Sequence, residues 1–287
     1  MELLSYSFKI CDCKQINKKN EKLGLPENCI SCGKDIKNKE ELSYLIPQFG
    51  FIPDNNFTKK AGGKKPNIRY FIDKYFGGEM ENKENTITIK IGNLTYELLS
   101  SKNAKMTVIG KGKGLGFFVC DKCGYGEPVN DYKKFKKTKH KNHRGFECDY
   151  TLEKKYLGYD FETDVTLIHT QRLELLDRDD KLSVLYALLN GISEALEIER
   201  RDIDGTFFYE NNKDYLVIFD TVPGGAGHSR RLLKEEEFIA AIKKAKSLVD
   251  SCSCGIETSC YSCLRNYSNQ NIHNNLRREG AVNFFNL

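Results

Sequence analysis

Eleven cysteines fall into three separated groups along 287 residues: Cys11, Cys13, Cys29 and Cys32; Cys120, Cys123 and Cys148; and Cys252, Cys254, Cys260 and Cys263. The middle group holds three sulfurs, but its segment KHKNHRGFEC adds His140 and His143, either of which completes a tetrahedral donor set. Twelve donors then serve three zinc ions, with no thiol left over. In CDC and CSC an extended backbone puts both side chains on one face, because side-chain direction along a strand repeats every two residues. In CISCG and CDKCG the pair brackets a tight turn, where Gly33 or Gly124 can take a positive φ that turns backbone amides toward the sulfurs. The competing readings are buried free thiols, two groups pooled into one site, and redox-active CxxC pairs. Neither pair follows a strand and opens a helix, as a thioredoxin-like redox motif does.

These donors need elements to hold them. With 39% hydrophobic residues the chain can build a real core, and its formal net charge of +5 permits a nucleic-acid partner without requiring one. There is no run of eighteen apolar residues, and MELLSYSFKICDCK lacks the order of a secretion signal. The expectation is a cytoplasmic protein with no membrane partner, in a compartment where clustered thiols bind metal rather than pair.

The expected fold class is α/β (α+β): a mixed sheet with packed helices, preceded by a small zinc-ribbon-like unit. Residues 1–46 form that unit, too short to be stable without its metal. Residues 47–150 form a β-rich segment that opens on a Pro/Gly/Lys-rich connection anchored by Phe49 and Phe51, with strands in NTITIKIG, LTYELLS and GLGFFVC. Residues 151–287 alternate strand and helix. DFETDVTLIHTQ, GTFFYE and DYLVIFD read as strands, the last two joined by NNK. Leu182, Leu185, Leu189, Ile192 and Leu196 recur at helical spacing, with Asp179 or Asp180 as N-cap, and EEEFIAAIKKAKSLVDSC is a second helix leading into the last cysteines. Beyond them a helix is expected to end at Gly280.

Three polar stretches are further candidates. In FDTVPGGAGHSRRLL, the glycines Gly224, Gly225 and Gly227 precede a helix expected near Ser229, whose free amides would face an anion beside His228, Arg230 and Arg231. The same stretch allows a hydrolase or nuclease, with Ser229 as nucleophile and His228 as base, or with Asp220 and His228 on a catalytic metal; it equally allows a purely structural turn. Lys133, Lys134, Lys136 and Lys137, with Tyr132 and Phe135 among them and Lys139, Lys141 and Arg144 following, suit phosphate contacts and base stacking, against the plain alternative of a solvated loop. In the tail, Arg265, Asn266, Gln270, His273 and Arg277 could share a helical face opposite Leu264, Tyr267 and Leu276.

Taken together, DTVPGGAGHSRRL, a helix, CSCGIETSCYSCLRNYSNQNIHNNLRRE, and upstream LGYDFETDV and CDKCG with KHKNHRGFEC resemble the MrfA-type zinc-binding (MZB) domain over roughly residues 42–280. That domain occurs at the C-terminus of DEAD/DEAH-box helicases and in DrmB of the DISARM anti-phage system, and SCYSCLRNYSNQ is similar to the DrmB-like branch. The resemblance implies that Cys252, Cys254, Cys260 and Cys263 bind zinc, and its H-x4-G-x2-C spacing favours His140 over His143. It also implies work beside a helicase on DNA. This chain contains neither G-x-x-x-x-G-K-[ST] nor a DEAH-like box. The expected function is therefore a non-catalytic zinc-binding subunit of a separately encoded helicase or translocase, contacting single-stranded DNA in phage defence or DNA repair. A hydrolase centred on Asp220, His228 and Ser229, or a purely structural assembly subunit, are the alternatives.

Overall fold

The computed structural model describes residues 4–13, 15–20, 22–47, 71–78, 84–129 and 139–286. Its strands are β1 (Leu4–Ile10), β2 (Ile16–Lys18), β3 (Leu42–Ile46), β4 (Ile72–Phe76), β5 (Glu84–Ile91), β6 (Leu94–Gly110), β7 (Phe117–Val119), β8 (Gly126–Pro128), β9 (His140–Lys141), β10 (Glu147–Cys148), β11 (Glu153–His169), β12 (Ile203–Glu210) and β13 (Lys213–Asp220). The helices are α1 (Gln171–Glu174), α2 (Arg178–Leu196), α3 (Glu235–Ser251) and α4 (Arg278–Phe285).

The two seventeen-residue strands, β6 and β11, pair antiparallel and form the spine of an eleven-stranded mixed sheet. Each carries a different short partner at either end. β11 takes β13 antiparallel near Val165–Ile168 and β3 in parallel at Tyr156–Leu157, while β6 takes β5 and β4. The sheet thus draws strands from all three segments into which the sequence divides. Between β12 and β13 the chain reverses through Asn211 and Asn212, both at positive φ, the geometry of a two-residue turn that suits the twist of a hairpin.

The helices cover one face. Ile168, Leu216 and Ile218 from the sheet meet Leu185, Leu189 and Ile192 of α2, Phe238, Ala241 and Ala245 of α3, and Phe284 of α4. The opposite face of the same strands buries Val165, Leu167, Val217 and Phe219 against Phe76, Met106 and Phe208. β13 is therefore buried on both sides, which explains why DYLVIFD reads as a nearly unbroken apolar run. α2 and α3 approach so closely at Gly191 that a Cβ there would lie 2.5 Å from the Ala241 carbonyl oxygen.

Several expected boundaries move. β6 continues past Ser100 through SKNAKMTVIG, whose polar start hides a strand that pairing with β11 sustains. The N-cap of α2 is Asp177, whose carboxylate accepts from the Asp180 amide at 2.8 Å; Asp179 and Asp180 lie in the first turn. No continuous helix leaves the last cysteines. The tail makes a 3-10 turn at Gln270–Asn275 and then α4, and Gly280 sits inside α4, where a Cβ would lie 2.3 Å from an Asp180 oxygen. No helix among the described residues is long and apolar enough to cross a membrane.

Candidate metal centres

Three sets of four donors converge: Cys11, Cys13, Cys29 and Cys32; Cys120, Cys123, His140 and Cys148; Cys252, Cys254, Cys260 and Cys263, with the donor atoms of each set within 4.8 Å of one another. Four sulfurs each about 2.3 Å from a tetrahedral zinc stand roughly 3.8 Å apart, whereas disulfide sulfurs stand about 2.05 Å apart. The separations here are 3.5 Å for Cys11–Cys32 and 3.6 Å for Cys13–Cys29. They are 3.9 Å for Cys120–Cys148, and 3.5, 3.7 and 3.8 Å for Cys252–Cys260, Cys254–Cys263 and Cys260–Cys263. The donors thus fit zinc, and four protein ligands per set leave no open position, the pattern of structural rather than catalytic sites.

Local backbone explains the first and middle sets. Gly33 and Gly124 stand at φ 71° and 74°, and their amides donate to the Cys29 and Cys120 carbonyls at 3.0 and 2.9 Å, closing the turn that brackets each CxxC pair. In the middle set, β9 and β10 place His140 directly opposite Cys148, with His140 Nε2 3.1 Å from Cys123 Sγ. His143 is carried to the exposed hairpin tip instead, so geometry selects His140.

Burial and neighbouring amides act in opposite directions on these thiols. Burial pushes the Cys123 thiol up to about 11, and raises Cys13 and Cys263 further. In each set one thiol runs the other way. At Cys29 burial is outweighed by the Cys32 and Ser31 amides, and at Cys148 the Tyr150 amide leads the lowering. At Cys260 burial opposes ionisation, yet the Ser262 amide and the Cys252, Cys263 and Cys254 thiols bring it down to about 7. Packed thiolates repel one another, and a central cation removes that cost.

Supporting residues that the sequence did not single out tie these sets to the fold. Fully buried Asn17 donates to Cys29 Sγ at 3.7 Å and accepts the Ile30 amide at 2.9 Å. Asn190 of α2 donates to the Cys263 carbonyl at 2.6 Å and accepts from Arg200 at 3.0 Å, linking the last set to the helical core. A lone Asn inside a strand or helix carries no sequence signal for such a role.

The glycine turn differs from expectation. Its amides do not face outward: Ala226 and His228 donate to Asp220 Oδ2 at 2.7 and 3.0 Å, Ser229 donates to Asp220 Oδ1 at 2.8 Å, and Gly227 donates to Asp164 Oδ2 at 2.9 Å. Gly224 and Gly225 donate to the Glu162 and Val222 carbonyls. Two of the chain's own carboxylates fill the concavity that an external anion would need, and only a five-residue 3-10 turn, Ser229–Leu233, follows it. Gly225 is required here, because at φ 73° a Cβ would lie 2.3 Å from Asp164 Oδ2. Asp164 reaches the turn because a bulge between Thr163 and Val165 breaks the β11–β6 register.

The arginines are also committed internally. Arg231 donates to Glu237 at 2.7 Å and to the Leu196 carbonyl at 3.0 Å, Arg230 lies 4.0 Å from Asp164, and Arg265 donates to Ser259 at 3.0 Å. The helical face expected of the tail is not formed. Arg277 pairs with Asp177 and Asp180, and Leu264 and Leu276 are buried while Tyr267 is 86% exposed. The Asp220–His228–Ser229 alternative is not assembled either, since the Asp220 carboxylate is taken up by three backbone amides. Lys133, Lys134, Lys136 and Lys137 lie outside the described residues.

Residues 184–264, which hold most of α2, the Asp220 turn and the last cysteine set, match the family model of the MrfA Zn-binding domain. The Druantia protein DruE of Escherichia coli (strain UMEA 4076-1) is 22% identical over 304 residues, an alignment that covers 95% of this chain. The chain spans 16% of that relative's length. The crystal structure of the DUF1998 helicase MrfA bound to DNA aligns over 76% of this chain and 25% of its own, at a TM-score of 0.40 and 11% identity.

Proposed function

We propose that this chain is a zinc-stabilised, non-catalytic module that works with a helicase or translocase on DNA, in phage defence or DNA repair. The observation that carries the reading is the C-terminal four-thiol clasp inside the segment matching the MrfA Zn-binding domain. In this reading the metal centres are structural, the turn at Asp220 is a packing device, and the motor is a separately encoded subunit. The DNA contact is assigned to the basic segment holding Lys133, Lys134, Lys136 and Lys137, which the chain enters from buried Val129 and leaves at Lys139, beside the middle set. Arg230, Arg231 and Arg265 take a lesser part, because their guanidinium groups already serve internal partners.

Three measurements test this. Single-stranded DNA should bind with an affinity that falls steeply with salt. Changing the four lysines to alanine should weaken binding and flatten the salt slope, because a phosphate that is no longer neutralised keeps its condensed counterions. Equal affinity and slope would remove that segment from the interface. The partner helicase, purified with and without this chain, should show a higher DNA-dependent ATPase rate with it; unchanged turnover and no co-purification would end the accessory reading. A DNA-cleaving activity abolished by His228→Ala would install the hydrolase alternative instead.

A further inference from the structure

The hairpin that completes the middle metal centre, together with the short segment that leaves its base, presents two large rings to solvent. Phe146 is 67% exposed and Tyr150 is 53% exposed, although both flank a metal ligand, Cys148. The backbone at Phe146 is held in place by its own hydrogen bonds. The Asn142 amide donates to the Phe146 carbonyl at 2.9 Å, and the Asn142 side-chain oxygen accepts the Arg144 and Phe146 amides at 2.9 and 3.0 Å. Gly145 at φ 83° closes the turn, and the His140–Cys148 pair clamps its base. The tip is thus built to hold an apolar ring in water, which costs hydrophobic free energy unless something covers it.

The surrounding charge says what would cover it. Lys122 Nζ stands 3.9 Å from the centroid of the Tyr150 ring, which is 53% exposed. Lys141, His143 and Arg144 are exposed along the hairpin, and Lys139 is exposed at its base. The acids here are exposed Glu147, which stands opposite Lys141 in the hairpin register, and exposed Asp149. Asp121, next to Lys122, is engaged by Lys155. One flat ring held at the tip and a second beyond the base, among lysine and arginine, match an unpaired nucleotide strand, whose bases stack and whose phosphates are anionic.

We propose that this hairpin is a base-stacking site for single-stranded nucleic acid, in which Phe146 and Tyr150 each stack on a base while Lys122, Lys139 and Arg144 face the phosphates. It rests on the reading that the chain contacts DNA, and it assigns the part of the contact that reads bases rather than backbone.

The test uses an oligothymidylate of about fifteen nucleotides, long enough for the usual single-strand site sizes, and an abasic oligomer of equal length. The double variant Phe146→Ala, Tyr150→Ala should bind the thymidylate about tenfold more weakly per ring removed. Its salt slope should stay that of the parent, because every phosphate-facing cation is retained. Phe146→Tyr should retain parental affinity, and the abasic oligomer should bind parent and double variant alike. Zinc content equal to the parent's confirms that the fold is intact. Parental affinity of the double variant, or an equal loss on the abasic oligomer, would overturn the stacking assignment. If the lysine variants still weakened binding in that case, the accessory reading would stand without it. A parent that binds neither oligomer would sink both.

Discussion

Asp220→Asn separates a packing role for the glycine turn from a catalytic one. Asp220 is fully buried, with Oδ2 accepting from the Ala226 and His228 amides and Oδ1 from the Ser229 amide. An asparagine can keep its carbonyl toward the first two amides, but its NH2 then faces the Ser229 N–H, donor against donor. A hydrogen bond to a charged group contributes about 1.5–3 kcal/mol, and a buried donor left unpaired costs about 1–3 kcal/mol more. The expected loss is therefore about 2.5–6 kcal/mol, and Asp220→Ala, which strands all three amides, should cost more still. For a chain of this size each kcal/mol moves Tm by roughly 2–4 °C, so Asp220→Asn should melt roughly 5–25 °C below the parent. Differential scanning calorimetry, with zinc content measured on the same samples, reads this directly. A catalytic carboxylate held at a cost to the fold predicts the reverse, since neutralising it leaves stability equal or higher. A Tm within about 1 °C of the parent would refute the packing argument.

Metal analysis should find three zinc ions per chain, and one or none after careful handling would remove the three-centre assignment. Cys263→Ser should abolish one zinc and yield mostly insoluble protein, because Cys263 is fully buried in the helical core and zinc binding there is also folding energy; soluble protein with three zinc ions would contradict this. Gly191→Ala should cost about 1–3 kcal/mol in a denaturant titration, since its Cβ would meet the backbone of α3 at 2.5 Å and 2.6 Å. An unchanged midpoint would mean that the two helices separate freely. The isolated chain should hydrolyse no ATP, as it carries no phosphate-cradling G-x-x-x-x-G-K-[ST] loop; turnover abolished by a point change in this chain would overturn that.

The donor count and the pairing of thiols within CDC, CISC, CDKC and CSC were legible along the chain, because two or three residues of backbone suffice to aim those side chains at one point. The β12–β13 hairpin and the helices α2 and α3 were legible for the same reason: each is written in a local period or turn. The donor count left both His140 and His143 open, and only the resemblance favoured His140. The register of β9 against β10 decides between them, by setting one opposite Cys148 and carrying the other to the tip. At the glycine turn the sequence displays glycines and a following helix signal, which suggest free amides. Asp164, sixty-three residues before the amide it accepts, occupies that space because a bulge in β11 points it there. Likewise the second half of β6 is too polar to announce a strand, and exists because β11 satisfies its backbone. Short-range geometry follows from neighbouring residue types, whereas the partner of a buried amide or carboxylate follows from which distant segments share a core, a choice made by burial summed over the whole fold.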